Sequence, residues 1–229
     1  MPRKSNTLAR WERPIDLEFL ENSRRVKGKR IFAVIAFGDT VKFKRWTNHP
    51  FASVEKHTKF MVDLYDEFIR FRNGSGYFVK ILGDGLMAVS ELPSGNQRKK
   101  VVENMLVHSQ RLVASVNRLI KVQAYPRPTG FRMRVVAGDV LKLIATHSTD
   151  ERKQQIDYAA YPVSLAHSLL QIEKDVPCIC HESVREIING RGSANNGIRF
   201  ERIKAPNFHP EGIDPDDLKA LWAFQVDDQ

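Results

Sequence analysis

The sequence predicts an α+β domain, a mixed sheet with helices packed mainly on one face. Three observations carry that prediction: short unbroken apolar runs, two long stretches with apolar residues at helical spacing, and glycine-marked turns that fold one strand onto the next. The 229 residues suit one large domain with a tail, enough chain to bury a substantial core. Residues 1–28 are polar and basic, with one short amphipathic piece (IDLEFL), and read as a loosely held arm. Residues 29–229 read as the folded domain.

The elements follow in order. Residues 31–37 form an unbroken apolar run, the pattern of a strand buried on both faces. After Pro50, Val54, Met61, Leu64, Phe68 and Phe71 recur at helical spacing, and Asn73-Gly74-Ser75-Gly76 reads as the turn that ends the helix. FVKILGDGLMAV (residues 78–89) is an apolar hairpin whose Gly83 and Gly85 tolerate the positive φ of a tight turn. Residues 97–120 form a second amphipathic helix, with Val101, Val102, Met105, Leu112, Val113, Val116 and Leu119 on one face. Residues 131–136 and 140–145 read as a second hairpin around Gly138. A polar loop then leads to a short strand and a helix starting near Pro162. The end reads as a strand at 176–180, a helix at 182–188, a glycine-rich turn and two strands near Phe200 and at 221–226.

Composition narrows the function. No apolar run approaches the ~20 residues of a membrane span, and no apolar leader opens the chain. The two cysteines, Cys178 and Cys180, sit too close together to staple a fold, which suits a reducing cytoplasm. Cys-x-Cys-His lacks the second ligand pair of a zinc site, so these residues, with His167 and His181, are assigned to packing or caps. The formal charge of +9 is concentrated in RRVKGKR (24–30) and QRKK (97–100), a field that attracts polyanions. Neither run interleaves aromatic residues or forms one stripe, so nucleic acid is not the expected partner.

Two apolar strands each end on Gly-Asp, delivering Asp39 and Asp84. Side chains two apart on a strand share a face, so Phe37 points with Asp39, and Lys80 keeps the parity of Asp84. With the strands adjacent, the two carboxylates converge, and with the main-chain carbonyl of Thr40 they suit two divalent cations, Mn²⁺ or Mg²⁺. The backbone amides from Thr40 to Phe43, turning into a helix, suit terminal phosphates.

These residues also carry a resemblance. FGDTVKF (37–43) resembles the Phe-x-Asp-x-x-Gly-Phe segment of class III nucleotide cyclases, and KILGD (80–84) resembles their Lys-x-x-Gly-Asp hairpin. Asp157 followed by VSLA (163–166) is similar to the family's Asp, then Val-Asn-Leu-Ala. The resemblance covers about residues 30–226. It implies a ferredoxin-like βαββαβ core with an extra C-terminal hairpin and helices, acting as a head-to-tail homodimer on a ribonucleoside triphosphate. One protomer supplies Asp39 and Asp84, and the other supplies Lys80 and Asp157 to the base. The chain departs from the family at three positions: Ser164 stands for the transition-state Asn, Ser168 for a phosphate-binding Arg, and Lys42 for the motif glycine. The missing cation then falls to Arg132, Arg134 or the metals. With these substitutions the domain resembles the bacterial pyrimidine cyclases of Pycsar anti-phage defence, whose cyclic UMP or cyclic CMP activates a separate effector. UTP is the expected substrate, with Phe37 filling the depth a purine needs and Lys80 donating to a pyrimidine carbonyl. The alternatives are an adenylate cyclase and an inactive cyclase-like module that only binds a nucleotide or dimerises.

Overall fold

A computed structural model of the chain describes residues 19, 21, 23–50, 53–95, 97–123, 126–150, 154–173, 175–190, 197–204, 210 and 212–227. Its strands are β1 (Ser23–Val41), β2 (Phe78–Leu82), β3 (Gly85–Glu91), β4 (Gly130–His147), β5 (Gln154–Ala159), β6 (Cys178–His181), β7 (Ile198–Arg202) and β8 (Leu221–Val226). The helices are α1 (Phe43–Thr47), α2 (Val54–Ser75), α3 (Gln97–Val122), α4 (Tyr161–Ser168), α5 (Glu182–Ile188) and α6 (Pro215–Lys219). The sheet runs β2-β3-β1-β4-β6-β8-β7, with β5 also paired to β4. Its ladders are antiparallel except for β4 and β6, and the order of elements is the βαββαβ core with an added β7–β8 pair.

β1 shows why the sheet sits at the centre. Val34 and Ala36 face Phe60, Leu64 and Phe68 of α2, Met105 of α3 and Val184 of α5. Ala33, Ile35 and Phe37 face Leu165 of α4, Tyr158 of β5 and Leu218 of α6. The unbroken apolar run is therefore a strand buried on both faces. Helices accordingly cover both faces, not mainly one: α4 is short and α6 shorter, so neither shows a long apolar stripe in the sequence. None of the described helices is long and apolar enough to cross a membrane.

Three local readings change. β4 is continuous, so Gly138 makes no turn. It lies opposite Ala33, and a Cβ there would stand 2.7 Å from Cγ of Pro162. The glycine is required because α4 lies directly on it. Gly138→Ala is expected to cost about 1–3 kcal/mol through that overlap, read as a lower thermal midpoint; an unchanged midpoint would show that α4 shifts freely. Next, α2 absorbs residues 73–75 and ends only at Gly76, whose φ of 70° lets its N–H return to the Arg72 carbonyl. Its start is capped by Ser53, which accepts from the Lys56 N–H. Finally, residues 23–28, assigned to the arm, begin β1 and pair with residues 143–147 of β4, forming the exposed edge of a three-stranded ribbon whose third strand is β5. Basic side chains on a solvated ribbon hide the alternation that marks a half-buried strand. Of the remainder of the arm, residues 1–18, 20 and 22 lie outside the described residues.

Candidate active site

Antiparallel register sets Asp39 opposite Gly85 and carries it beside the β2–β3 turn. That turn has two residues, Gly83 and Asp84. Only Gly83 takes positive φ, at 67°, the II′ pattern that matches sheet twist. Gly85 serves another purpose: a Cβ there would stand 2.4 Å from the Gly38 carbonyl oxygen. Its bareness lets β3 close on β1 and bring Asp84 to Asp39. The Thr40 hydroxyl then donates to the Asp84 carbonyl at 2.8 Å, fixing the turn to the end of β1.

The electrostatics follow from this closeness. Burial first, and then the Asp39 charge, push the Asp84 carboxyl up to about 6, while backbone N–H donors of Asp84 and Thr40 and the Arg132 charge pull the other way. Two carboxylates in mutual repulsion at a partly buried strand end form a site that a dication relieves. The donors are hard oxygens, the set that Mg²⁺ or Mn²⁺ takes. Among the described residues no three His, Cys, Asp or Glu side chains gather as ligands. Main-chain carbonyls, substrate oxygens and water would therefore complete the shell.

Arg132 is the residue that sequence reading placed least well. It pairs across the ladder with Asp39, and its Nη2 donates to Asp39 Oδ2 at 3.0 Å while the side chain is only 5% exposed. Arg134, the other cation considered, is fully buried. Its guanidinium donates to the carbonyls of Leu169, Ile172, Glu173 and Val176 at 2.9–3.0 Å, tying the turn after α4 to the sheet. Burial lowers its pKa to about 9. The signal separating them was the β1–β4 register, which a single strand does not reveal.

A second pair forms on the same side of the sheet. Lys80 Nζ donates to Asp157 Oδ2 at 2.5 Å, and the Tyr158 N–H donates to Asp157 Oδ1 at 2.9 Å. Asp157 lies within β5, which folds over the second face so that Tyr158 packs on Phe78 with ring centroids 4.9 Å apart. Among the described residues no hydrogen bond or ion pair joins this pair to Asp39 or Asp84.

The remaining candidates fall elsewhere. Phe37 is 5% exposed in the second-face core, its ring edge-on to His167 at 5.4 Å, so it presents almost no surface to a ligand. Phe43 turns its ring onto Trp46 and Phe60, leaving only its backbone near the strand end. Lys42, between them, holds φ at 62°. A left-handed residue other than glycine costs about 1 kcal/mol, which explains glycine at this point of the motif that the segment resembles. Ser164 is exposed on α4. Cys178 and Cys180 are buried in β6, where burial raises both thiols, Cys178 to about 12. His181 caps α5, its Nδ1 accepting from the Ser183 N–H.

No protein-family model matches the chain, and neither does any curated protein sequence. Solved structures do. The adenylyl cyclase CyaB from P. aeruginosa superposes with a TM-score of 0.64 at 16% identity, over 89% of this chain and 97% of that one. The guanylyl cyclase Cya2 gives 0.52 at 15% identity, over 86% and 91%. A bacterial light-regulated adenylyl cyclase gives 0.62 at 14% identity, over 87% of this chain and 53% of its own, so this chain spans about half its length. The fold of the described residues is that of class III cyclase domains.

Proposed function

We propose that the chain is a nucleotide cyclase that converts a pyrimidine ribonucleoside triphosphate, UTP before CTP, to its 3′,5′-cyclic monophosphate and diphosphate. The observation that carries the reading is the Asp39–Asp84 pair, brought together at adjacent strand ends by the bareness of Gly85. In the reaction the 3′-hydroxyl gives up its proton to water as its oxygen attacks its own α-phosphorus in line, the bond from phosphorus to the β-bridging oxygen breaks, and diphosphate leaves. Both reacting groups belong to one ligand, so the protein chiefly orients the ribose and stabilises charge. Asp39 and Asp84 would hold the two cations, Mn²⁺ or Mg²⁺, which supply charge neutralisation and a more acidic 3′-hydroxyl. The Thr40 hydroxyl keeps the Asp84 turn in place.

Base choice rests on the Lys80–Asp157 pair, since Phe37 is committed to the core. Both Asp157 oxygens already accept a hydrogen bond, whereas an ammonium has three donors and Lys80 spends one on Asp157. A pocket richer in donors favours the two carbonyls of uracil over the exocyclic amine of cytosine or adenine. The cation-rich composition suits a polyphosphate ligand. We place the site at the interface of a head-to-tail homodimer and the product in anti-phage signalling through a separate effector. The deciding experiment incubates the protein with each of the four ribonucleoside triphosphates and Mn²⁺, following cyclic product and diphosphate. UTP should turn over fastest, then CTP. Fastest turnover of ATP would replace this reading with an adenylate cyclase; nucleotide binding with no turnover would replace it with an inert module.

A further inference from the structure

We propose that the groove between α2 and α3 is a second ligand site, suited to a small phosphate monoester and separate from the strand ends that carry Asp39 and Asp84. The two helices part there to leave a cavity of about 580 Å³, within the ~300–1,000 Å³ of small-molecule sites. Arg70 reaches it from α2, and Arg111 and Arg118 reach it from α3. The two α3 arginines are about two turns apart on one helix face. One carboxylate faces the three guanidiniums, and it is already spent. Glu67 Oε1 accepts from Arg70 Nη1 at 2.5 Å and Oε2 from the Ser115 hydroxyl at 2.7 Å, which ties α2 to α3 and aims Arg70. Among the described residues Arg111 and Arg118 make no hydrogen bond or ion pair. Burial first, and then the Arg111 charge, hold the His108 pKa below its usual value, so the ring adds no charge at neutral pH. The lining is left with an excess of two positive charges. A phosphate monoester, a dianion near neutral pH, balances that excess, and guanidinium forks match its oxygens in pairs.

The shape of the cavity calls for an organic body on that phosphate. Phe71 and Leu112 give it an apolar floor, and a phosphate group alone fills only a small part of the volume. Gly74 opens the mouth. It lies within α2, where glycine weakens a helix, yet it needs neither a positive φ nor close packing, because a Cβ there would meet nothing within 4 Å. A larger side chain at this position would stand in the cavity, so its bareness is explained if that space is used.

The probes are phenyl phosphate and inorganic phosphate, titrated calorimetrically without divalent metal, a condition in which Asp39 and Asp84 repel anions. The proteins are the wild type, the double variant Arg111→Gln/Arg118→Gln, Gly74→Leu, Lys59→Gln and Asp84→Ala. Phenyl phosphate should bind the wild type more tightly than inorganic phosphate does, and the double variant about 10-fold more weakly than the wild type. Gly74→Leu keeps every charge and favours the helix, and it should lose binding to a similar extent. Lys59→Gln removes an exposed charge from α2 about three turns before Arg70, and it should match the wild type, as should Asp84→Ala. The inference is overturned if the wild type does not bind phenyl phosphate or binds inorganic phosphate as tightly. Wild-type affinity in the double variant or in Gly74→Leu, an equal loss in Lys59→Gln, or a change confined to Asp84→Ala overturns it as well. The nucleotide-site reading stands or falls separately, on the turnover experiment.

Discussion

Asp84→Ala is expected to abolish cyclisation while leaving the protein as stable as the wild type or slightly more so. Burial and the Asp39 charge both oppose the ionised Asp84 carboxylate, so the side chain is a cost to the apo fold at neutral pH. The turn itself does not depend on the carboxylate, because Gly83 supplies the conformation and the Thr40 hydroxyl bonds the Asp84 carbonyl, which alanine keeps. Catalysis loses far more. Charge neutralisation by a carboxylate-held cation is worth several kcal/mol in the transition state, so turnover should fall about 10³-fold or more. Asp39→Ala should be equally inactive but less stable, because Arg132 would lose its one hydrogen-bond acceptor among the described residues while remaining buried. The measurement pairs turnover with thermal unfolding of each variant. Substantial activity in well-folded Asp84→Ala would sink the two-cation assignment.

The contrast between these two aspartates shows what the sequence could and could not convey. That both end apolar strands on Gly-Asp is written locally, and so is the amphipathic face of α2, because each depends on residues within a few positions. Register across strands is not local. It decides that Asp39 meets Arg132, and that Arg134 falls two pairs further in, where carbonyls surround it. Gly138 failed for a related reason: a glycine needed for close approach looks the same as one needed for a turn until Pro162 is seen against it. The Lys80–Asp157 pair joins residues 77 positions apart through the folding of β5 over the second face. The family resemblance could name both residues without showing that they bind each other. Phe37 illustrates the opposite error, in which the right face was read but not the helix that covers it.

Mixing Asp84→Ala with Asp157→Ala should restore activity that neither variant has alone. Lys80 and Asp157 hold each other within one chain, and nothing among the described residues ties them to Asp39 or Asp84. If one nucleotide must meet both pairs, a second copy is the simplest way to bring them together. Apolar side chains that such a copy would cover stand exposed beside the site: Ile81 and Leu82 on the hairpin, Tyr161 at the start of α4, and Val26 and Leu141 on the ribbon. A twofold, head-to-tail dimer puts Asp84 of one copy with Asp157 of the other at each of two sites. In the mixed dimer both lesions then fall in one site and the second is intact, so random exchange at equal concentrations restores about a quarter of the wild-type sites. Asp84 is the better partner for this cross than Asp39, since removing it leaves the Arg132 ion pair whole. The readout is cyclic product after proven subunit exchange, against each variant alone. Exchange without recovery would place the whole site inside one chain, and the Lys80–Asp157 pair would then have to act on something other than the base.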